Sequence, residues 1–161
     1  MIKVIFVCLG NICRSPSAEA VMNSIVEKAG LSGIVECDSA GTIAFHAGEP
    51  ADARMKKHAV KRGYTLTSIA RKFTHDDFEK FDYIVAMDRN NFTDILALDK
   101  EAQYVDKISM MTSYCRDHEE EEVPDPYYGG PQGFEHVLDL LEDACTGFLE
   151  KIKEDFPEEF E

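Results

Sequence analysis

The 161-residue sequence predicts an α/β fold, a small doubly wound parallel sheet of four strands with helices on both faces. Three observations carry that expectation. Strand-like apolar runs alternate with helix-like periodic stretches along the chain. The first run, Ile2 to Val7, is continuously apolar, as a central strand covered on both faces requires. Towards the end, Phe134, Val137, Leu138, Leu141, Cys145, Phe148 and Ile152 recur at steps of three and four, the stripe of a long amphipathic helix. No repeat or linker interrupts the pattern, so one domain over 1–161 is expected.

Taken in order, the elements follow from local chemistry. Ser15-Pro16 suits a helix start, with serine as N-cap and proline at the first helical position, where it wastes no donor. Val21, Ile25 and Ala29 mark the inner face of this helix, and Gly30 ends it. Ile34 to Cys37 reads as a short second strand. Residues 51–62 form a weakly amphipathic helix closed by Gly63, and Thr74-His75-Asp76-Asp77 resembles a capping box opening a short helix. Asp82 to Met87 is the third strand; Asp88 can cap the helix that carries Phe92, Ile95 and Leu96. Tyr104 to Ile108 is expected as the fourth strand, followed by a long loop. In such sheets ligands bind outside the carboxyl ends of the strands.

Composition narrows the function classes. No apolar run approaches the roughly 20 residues needed to cross a bilayer, and the β-branched start has no cleavage site of a secretory signal. A formal net charge of −14 disfavours nucleic acid and anionic membrane as partners. Glu119 to Glu122 and the tail from Glu154 to Glu161 read as solvated surface. Five cysteines, an odd number with three of them isolated, argue against a secreted disulfide framework, so a reducing cytoplasm is expected. Cys8 and Cys13 have no second pair downstream for zinc, the five histidines form no ligand-spaced set, and neither metal nor cofactor is expected.

The chemistry concentrates in Cys8-Leu9-Gly10-Asn11-Ile12-Cys13-Arg14-Ser15, directly after the central strand. Such a loop can aim backbone N–H groups inward, and the helix behind it adds its positive dipole end. Gly10 permits a positive φ, and Asn11 tolerates one. Arg14 offers a planar fork matched to two oxygens of a phosphate. Local donors of this kind let a protein of net negative charge hold a dianion. They also favour the thiolate form of Cys8, and Ser15 can donate to its sulfur; the cysteine is then a nucleophile that needs no histidine base.

With two further motifs, Asp38-Ser39-Ala40-Gly41-Thr42 and Asp125-Pro126-Tyr127-Tyr128-Gly129-Gly130, the chain resembles a low-molecular-weight protein tyrosine phosphatase over essentially its whole length. The resemblance implies hydrolysis of phosphotyrosine in two steps. Cys8 attacks phosphorus to form a phosphocysteine while Asp125 protonates the leaving phenolate, and Asp125 then activates water. Arg14 and the loop N–H groups hold the phosphate oxygens, with no metal required. It further implies that Asn11, Ser15, Ser39 and Ser68 form a network supporting the loop, with Asp88 nearby. Ile12, Phe45, Tyr127 and Tyr128 would wall the substrate ring. Proximity suggests a reversible Cys8–Cys13 disulfide that protects the nucleophile. His46, beside Phe45, is a candidate substrate contact.

The partners implied are tyrosine-phosphorylated proteins, and the chain is expected to act as a monomer. By the same resemblance, Ile12 within the loop favours phosphotyrosine over phosphoarginine, whose branch of the family carries threonine there. Two rivals share the anion loop. A thioredoxin-linked arsenate reductase needs further cysteines after the third strand, and Met87 to Lys107 contains none. A phosphotyrosine-binding module without activity would lack the nucleophile or the acid, and both residues are present.

Overall fold

β1 (Ile2–Cys8) sits inside a four-stranded sheet, with β2 (Val35–Gly41) on one side and β3 (Tyr83–Ala86) followed by β4 (Ile108–Met110) on the other. All pairings are parallel. These relations come from a computed structural model that describes residues 1–161. The period of two along β1 divides the core. Ile2, Val4, Phe6 and Cys8 enter one apolar cluster, while Ile5 and Val7 enter a second on the opposite face.

The first cluster is covered by α1 (Arg14–Lys28), α2 (Ala53–Lys61) and α5 (Pro131–Asp155), which contribute Val21 and Met22, Met55 and Ala59, and Val137, Leu141 and Phe148. Phe6 meets Phe148 edge to face, with ring centroids 6.1 Å apart. The second cluster takes Phe78 from α3 (Asp76–Lys80), Ile95 from α4 (Arg89–Leu98) and Ile108 from β4. The helices therefore lie on both faces, as the apolar runs require. No helix is long and apolar enough to cross a membrane. The register aligns Cys8 with Gly41, and Val7 with both Ala40 and Ala86, so three strands end level at one edge.

Several local expectations change in the folded chain. The fourth strand lies later than Tyr104 to Ile108: Val105–Lys107 forms a 3₁₀ turn and pairing starts at Ile108. Asp99 accepts the N–H groups of Gln103 and Tyr104, and Tyr104 stacks on Phe78, which draws this segment out of the sheet. β2 instead runs on past Cys37 to Gly41, because all seven of its residues find partners on β1. α1 starts two residues early, with Cys13 as N-cap, because the Ser15 hydroxyl is engaged elsewhere. Its C-terminus matches the glycine stop: Gly30 has φ of 73° and Leu31 N–H returns to the Val26 carbonyl. At α3, Asp77 accepts the Thr74 N–H, but the Thr74 hydroxyl makes no cap; His75 is the N-cap. Part of the acidic run is also structural, since the Glu122 carboxylate accepts the Arg89 N–H at the start of α4.

Candidate functional site

The segment between β1 and α1 is fastened through its carbonyls. Cys8 O accepts the Thr42 N–H at 2.9 Å, Leu9 O the Ile43 N–H at 3.1 Å, and Ile12 O the Asp52 N–H at 2.8 Å. Ser17 Oγ donates to Cys13 O at 2.7 Å. With these carbonyls tied outward, the N–H groups face the other way. Those of Gly10, Ile12 and Cys13 make no hydrogen bond within the protein, and that of Asn11 points at the Cys8 sulfur, 3.3 Å away. This is an anion nest at the start of a helix.

Asn11 takes the left-handed conformation, with φ of 57°. Gly10 does not, contrary to expectation. Its lack of a side chain serves space instead, since a Cβ there would come within 3.0 Å of the His46 ring. Gly41 is tighter still, because a Cβ at that position would sit 2.7 Å from the Leu9 carbonyl oxygen. This motif glycine, the last residue of β2, thus lets the loop lie against the strand.

A buried polar network fixes the loop from below. Asn11 Nδ2 donates to Ser15 Oγ at 2.7 Å and to Ser39 Oγ at 3.0 Å, while its Oδ1 accepts the Arg71 N–H at 3.0 Å. Ser15 Oγ lies 3.0 Å from the Cys8 sulfur. Ser39 donates to Glu19 Oε1 at 2.6 Å. Because Ser39 gives its proton to the carboxylate, it can only accept from Asn11, and the direction of the chain is set. Burial pushes the Glu19 carboxyl upward, and the Ser39 bond opposes that shift. Ser68 is not a member: its hydroxyl has no partner, and the remaining Asn11 bond is to the Arg71 N–H.

Arg14 is 3% exposed, with Nη1 on Asp88 at 2.6 Å and on the Val123 carbonyl at 3.1 Å. Burial alone would push its guanidinium down; the Cys8 sulfur and the bonded Asp88 carboxylate raise it, so the cation persists. Asp88 also caps α4 through the Asn91 N–H at 2.8 Å, so both expected roles coexist. Burial, then Asp52 and Cys8, push the Cys13 thiol far up, which keeps that residue protonated under the loop.

The third motif approaches from the opposite side. Val123 N–H bonds the Met87 carbonyl at 2.8 Å, tying this segment to the end of β3. Asp125 Oδ1 accepts the Tyr127 N–H at 3.0 Å, and Oδ2 lies 3.7 Å from Arg14 Nη2. A cleft of about 320 Å³ unites Cys8, Leu9, Gly10, Ile12, Cys13, Arg14, Phe45, Asp125, Tyr127 and Tyr128. Asn11, Ser15 and Ser39 lie beneath it. His46 lines the mouth, with Nδ1 2.5 Å from Glu49 and its ring edge-on to Phe45.

Sequence reasoning missed Glu19, Arg71, Val123 and Ile43. Glu19 stands one helical turn after Ser15, a spacing that could have suggested it. Arg71 and Val123 act through backbone atoms, which leave no mark in residue identity. The arrangement can hold a tetrahedral oxyanion between the loop and the guanidinium, with a sulfur below it and a carboxyl group at the rim.

Comparison with known proteins agrees with this geometry. A family model described as low molecular weight phosphotyrosine protein phosphatase matches residues 3–158. A low molecular weight protein-tyrosine-phosphatase of Streptomyces coelicolor is 43% identical over 154 residues, covering 94% of each chain. The crystal structure of a protein tyrosine phosphatase from Entamoeba histolytica with Hepes in its active site is 48% identical, with a TM-score of 0.93 over 96% of this chain and 99% of that one. A Drosophila arginine phosphatase is 33% identical, with a TM-score of 0.88 over 94% and 98%.

Proposed function

Because this chain belongs to the low-molecular-weight phosphotyrosine protein phosphatase family, we propose that it hydrolyses phosphotyrosine in proteins through a phosphocysteine formed on Cys8. The observation that carries this reading is the Cys8 sulfur, bonded by the Asn11 N–H and Ser15, which opens on the same cleft as Arg14 and Asp125. Cys8 Sγ attacks phosphorus as the bond to the tyrosine oxygen breaks. Asp125 gives that oxygen a proton, and the carboxylate it becomes then takes one from the water that frees phosphate. Arg14 and the loop N–H groups stabilise the equatorial oxygens throughout, so the chemistry calls for no metal.

Leu9, Gly10, Asn11, Cys13, Ser15 and Ser39 shape the loop, and Ile12, Phe45, Tyr127 and Tyr128 flank the aromatic ring. The chain 1–161 serves as one catalytic unit, a monomer of the cytoplasm. Cys13 is the partner for peroxide-driven disulfide formation with Cys8, in which each thiol loses a proton and an electron and peroxide leaves as water. Cys145, buried against α1 with its sulfur 3.9 Å from the Ala18 carbonyl, supports hydrolysis over a reductase, which would need an accessible thiol relay.

The test is steady-state hydrolysis of a phosphotyrosine peptide, para-nitrophenyl phosphate and phosphoarginine in the presence of EDTA, with acid quench to trap phosphoenzyme. Release from both aryl esters, with label trapped on Cys8, is expected. Turnover of phosphoarginine alone, or arsenate reduction without phosphate release, would overturn the reading.

A further inference from the structure

The charge of this acidic protein is unevenly distributed. From Ala53 to His75 the chain has none of its 31 acidic residues but seven of its 17 lysines and arginines. α2 is the centre of that stretch. Arg54, Lys57 and Lys61 stand at helical steps of three and four, which puts them on one stripe. Arg54 is paired with Asp52, and Arg62, on the α5 side, is neutralised by Glu135, Asp139 and Glu142. Lys57 and Lys61 are exposed and have no ion-pair partner.

This stripe adjoins the cleft. The Arg54 guanidinium lies 5.2 Å from the centroid of Tyr127, a wall of the cleft, and 5.0 Å from that of Phe134. Arg54 and Lys57 then line a shallow groove whose other side is Gly129, Gly130 and Pro131, at the end of the third motif. From Arg54 to Lys61 the helix advances about 10 Å, the length of about three residues of extended peptide.

We propose that the α2 stripe is a docking track for acidic residues flanking the phosphotyrosine of a protein substrate. This rests on the phosphatase reading above and specifies its substrate class. A phosphoprotein chain leaving the cleft past Tyr127 and Arg54 brings a glutamate or aspartate a few residues from the tyrosine to Lys57 in the groove, with Lys61 further along the same stripe. Against a net charge of −14, such a track is the local attraction that admits an acidic segment. A short, exposed track of lysines gives a modest and salt-sensitive preference.

The experiment compares two phosphotyrosine peptides that differ only in flanks, Glu-rich or Lys-rich, using wild type and Lys57→Glu/Lys61→Glu. Each kcat/KM is divided by the same enzyme's value for para-nitrophenyl phosphate, which has no flanks. Wild type should favour the Glu-rich peptide by about 3- to 10-fold at low salt, chiefly through KM. The preference should shrink in 0.5 M salt and invert in the double variant. Equal use of both peptides by a wild type that hydrolyses all three esters overturns the docking track alone. Hydrolysis of none overturns the phosphatase reading with it. Binding of anionic vesicles that Lys57→Glu/Lys61→Glu abolishes, without any peptide preference, would assign the stripe to a membrane surface and overturn the proposal.

Discussion

The loop of residues 9–13 and the segment of residues 123–130 face each other across one cleft but are built differently. On the loop side Asn11, Arg14, Ser15 and Ser39 are all at most 3% exposed, and each polar side chain has a named partner. On the other side the Asp125 carboxyl is 43% exposed, and Tyr128 is exposed almost completely. One wall is a rigid set of donors; the other is a carboxyl group standing in solvent on a short tether from Val123. The contrast fits the demands of phosphoryl transfer. Charge on the equatorial oxygens is best met by dipoles that need no reorganisation, whereas a proton donor has only to reach the leaving oxygen.

The largest effect should come from the rigid side. Cys8→Ser is expected to lower kcat for para-nitrophenyl phosphate by at least about 10⁴-fold while retaining phosphate binding, read by steady-state kinetics and phosphate titration. Residual turnover within about tenfold of wild type would remove the nucleophile from the account. Asp125→Ala should reduce kcat by about 10²–10⁴-fold on phenyl esters, with much less loss on esters of acidic phenols. Its unfolding free energy in urea should stay within about 0.5 kcal/mol of wild type, as befits an exposed group.

Asn11→Ala sharpens the contrast from below. It strands the Arg71 N–H, removes the bond that each of Ser15 and Ser39 accepts, and places alanine at a positive φ, which should cost about 3 kcal/mol of stability. Activity should fall with stability in this variant, whereas in Asp125→Ala the two separate. A variant that loses activity at full stability would show that the network orients the sulfur without holding the loop.

The smallest effect tests the anchor on α5 of the loop that leads into the acid segment. Burial raises the Asp143 carboxyl, but the N–H groups of Arg116, Asp117 and His118 and the His118 ring together bring it down to about 2. A carboxyl lowered in the folded state stabilises it fully above its ordinary value and loses that contribution as pH falls towards about 2. The His118 ring is raised by the same bond, so its own contribution is present below the ordinary histidine range and fades as pH rises through the elevated value. Asp143→Asn should therefore destabilise by about 1–2 kcal/mol at pH 6, with the gap from wild type closing below pH 4. A gap independent of acid would assign the effect to packing.

Much of this site was legible in advance because its determinants are local. A thiol, a guanidinium and a helix start must be consecutive for one loop to wrap an anion, so Cys8, Arg14 and their neighbours announce themselves by spacing. The strands of the sheet were equally visible where apolar runs are unbroken, as at Ile2 to Val7. The apolar pattern of β2 ends early because Asp38 and Ser39 interrupt it, yet they belong to the strand, paired with Ile5 and Phe6. Ser68 shows the reverse case, since nothing in a serine's identity says that its hydroxyl will be buried without a partner while Asn11 accepts a backbone N–H from Arg71.

The sequence by itself determined the α/β architecture, the anion loop and the residues able to carry the chemistry, because periodicity and short-range spacing encode them. Tertiary structure alone decided that Asp125 and Arg14 share a cleft, that Asp88 supports the guanidinium, and that Glu19 ends the polar chain under the loop. It also set the basic stripe of α2 beside Tyr127. These are contacts between segments far apart in the chain. Their geometry follows from strand register and helix packing, which no single segment specifies.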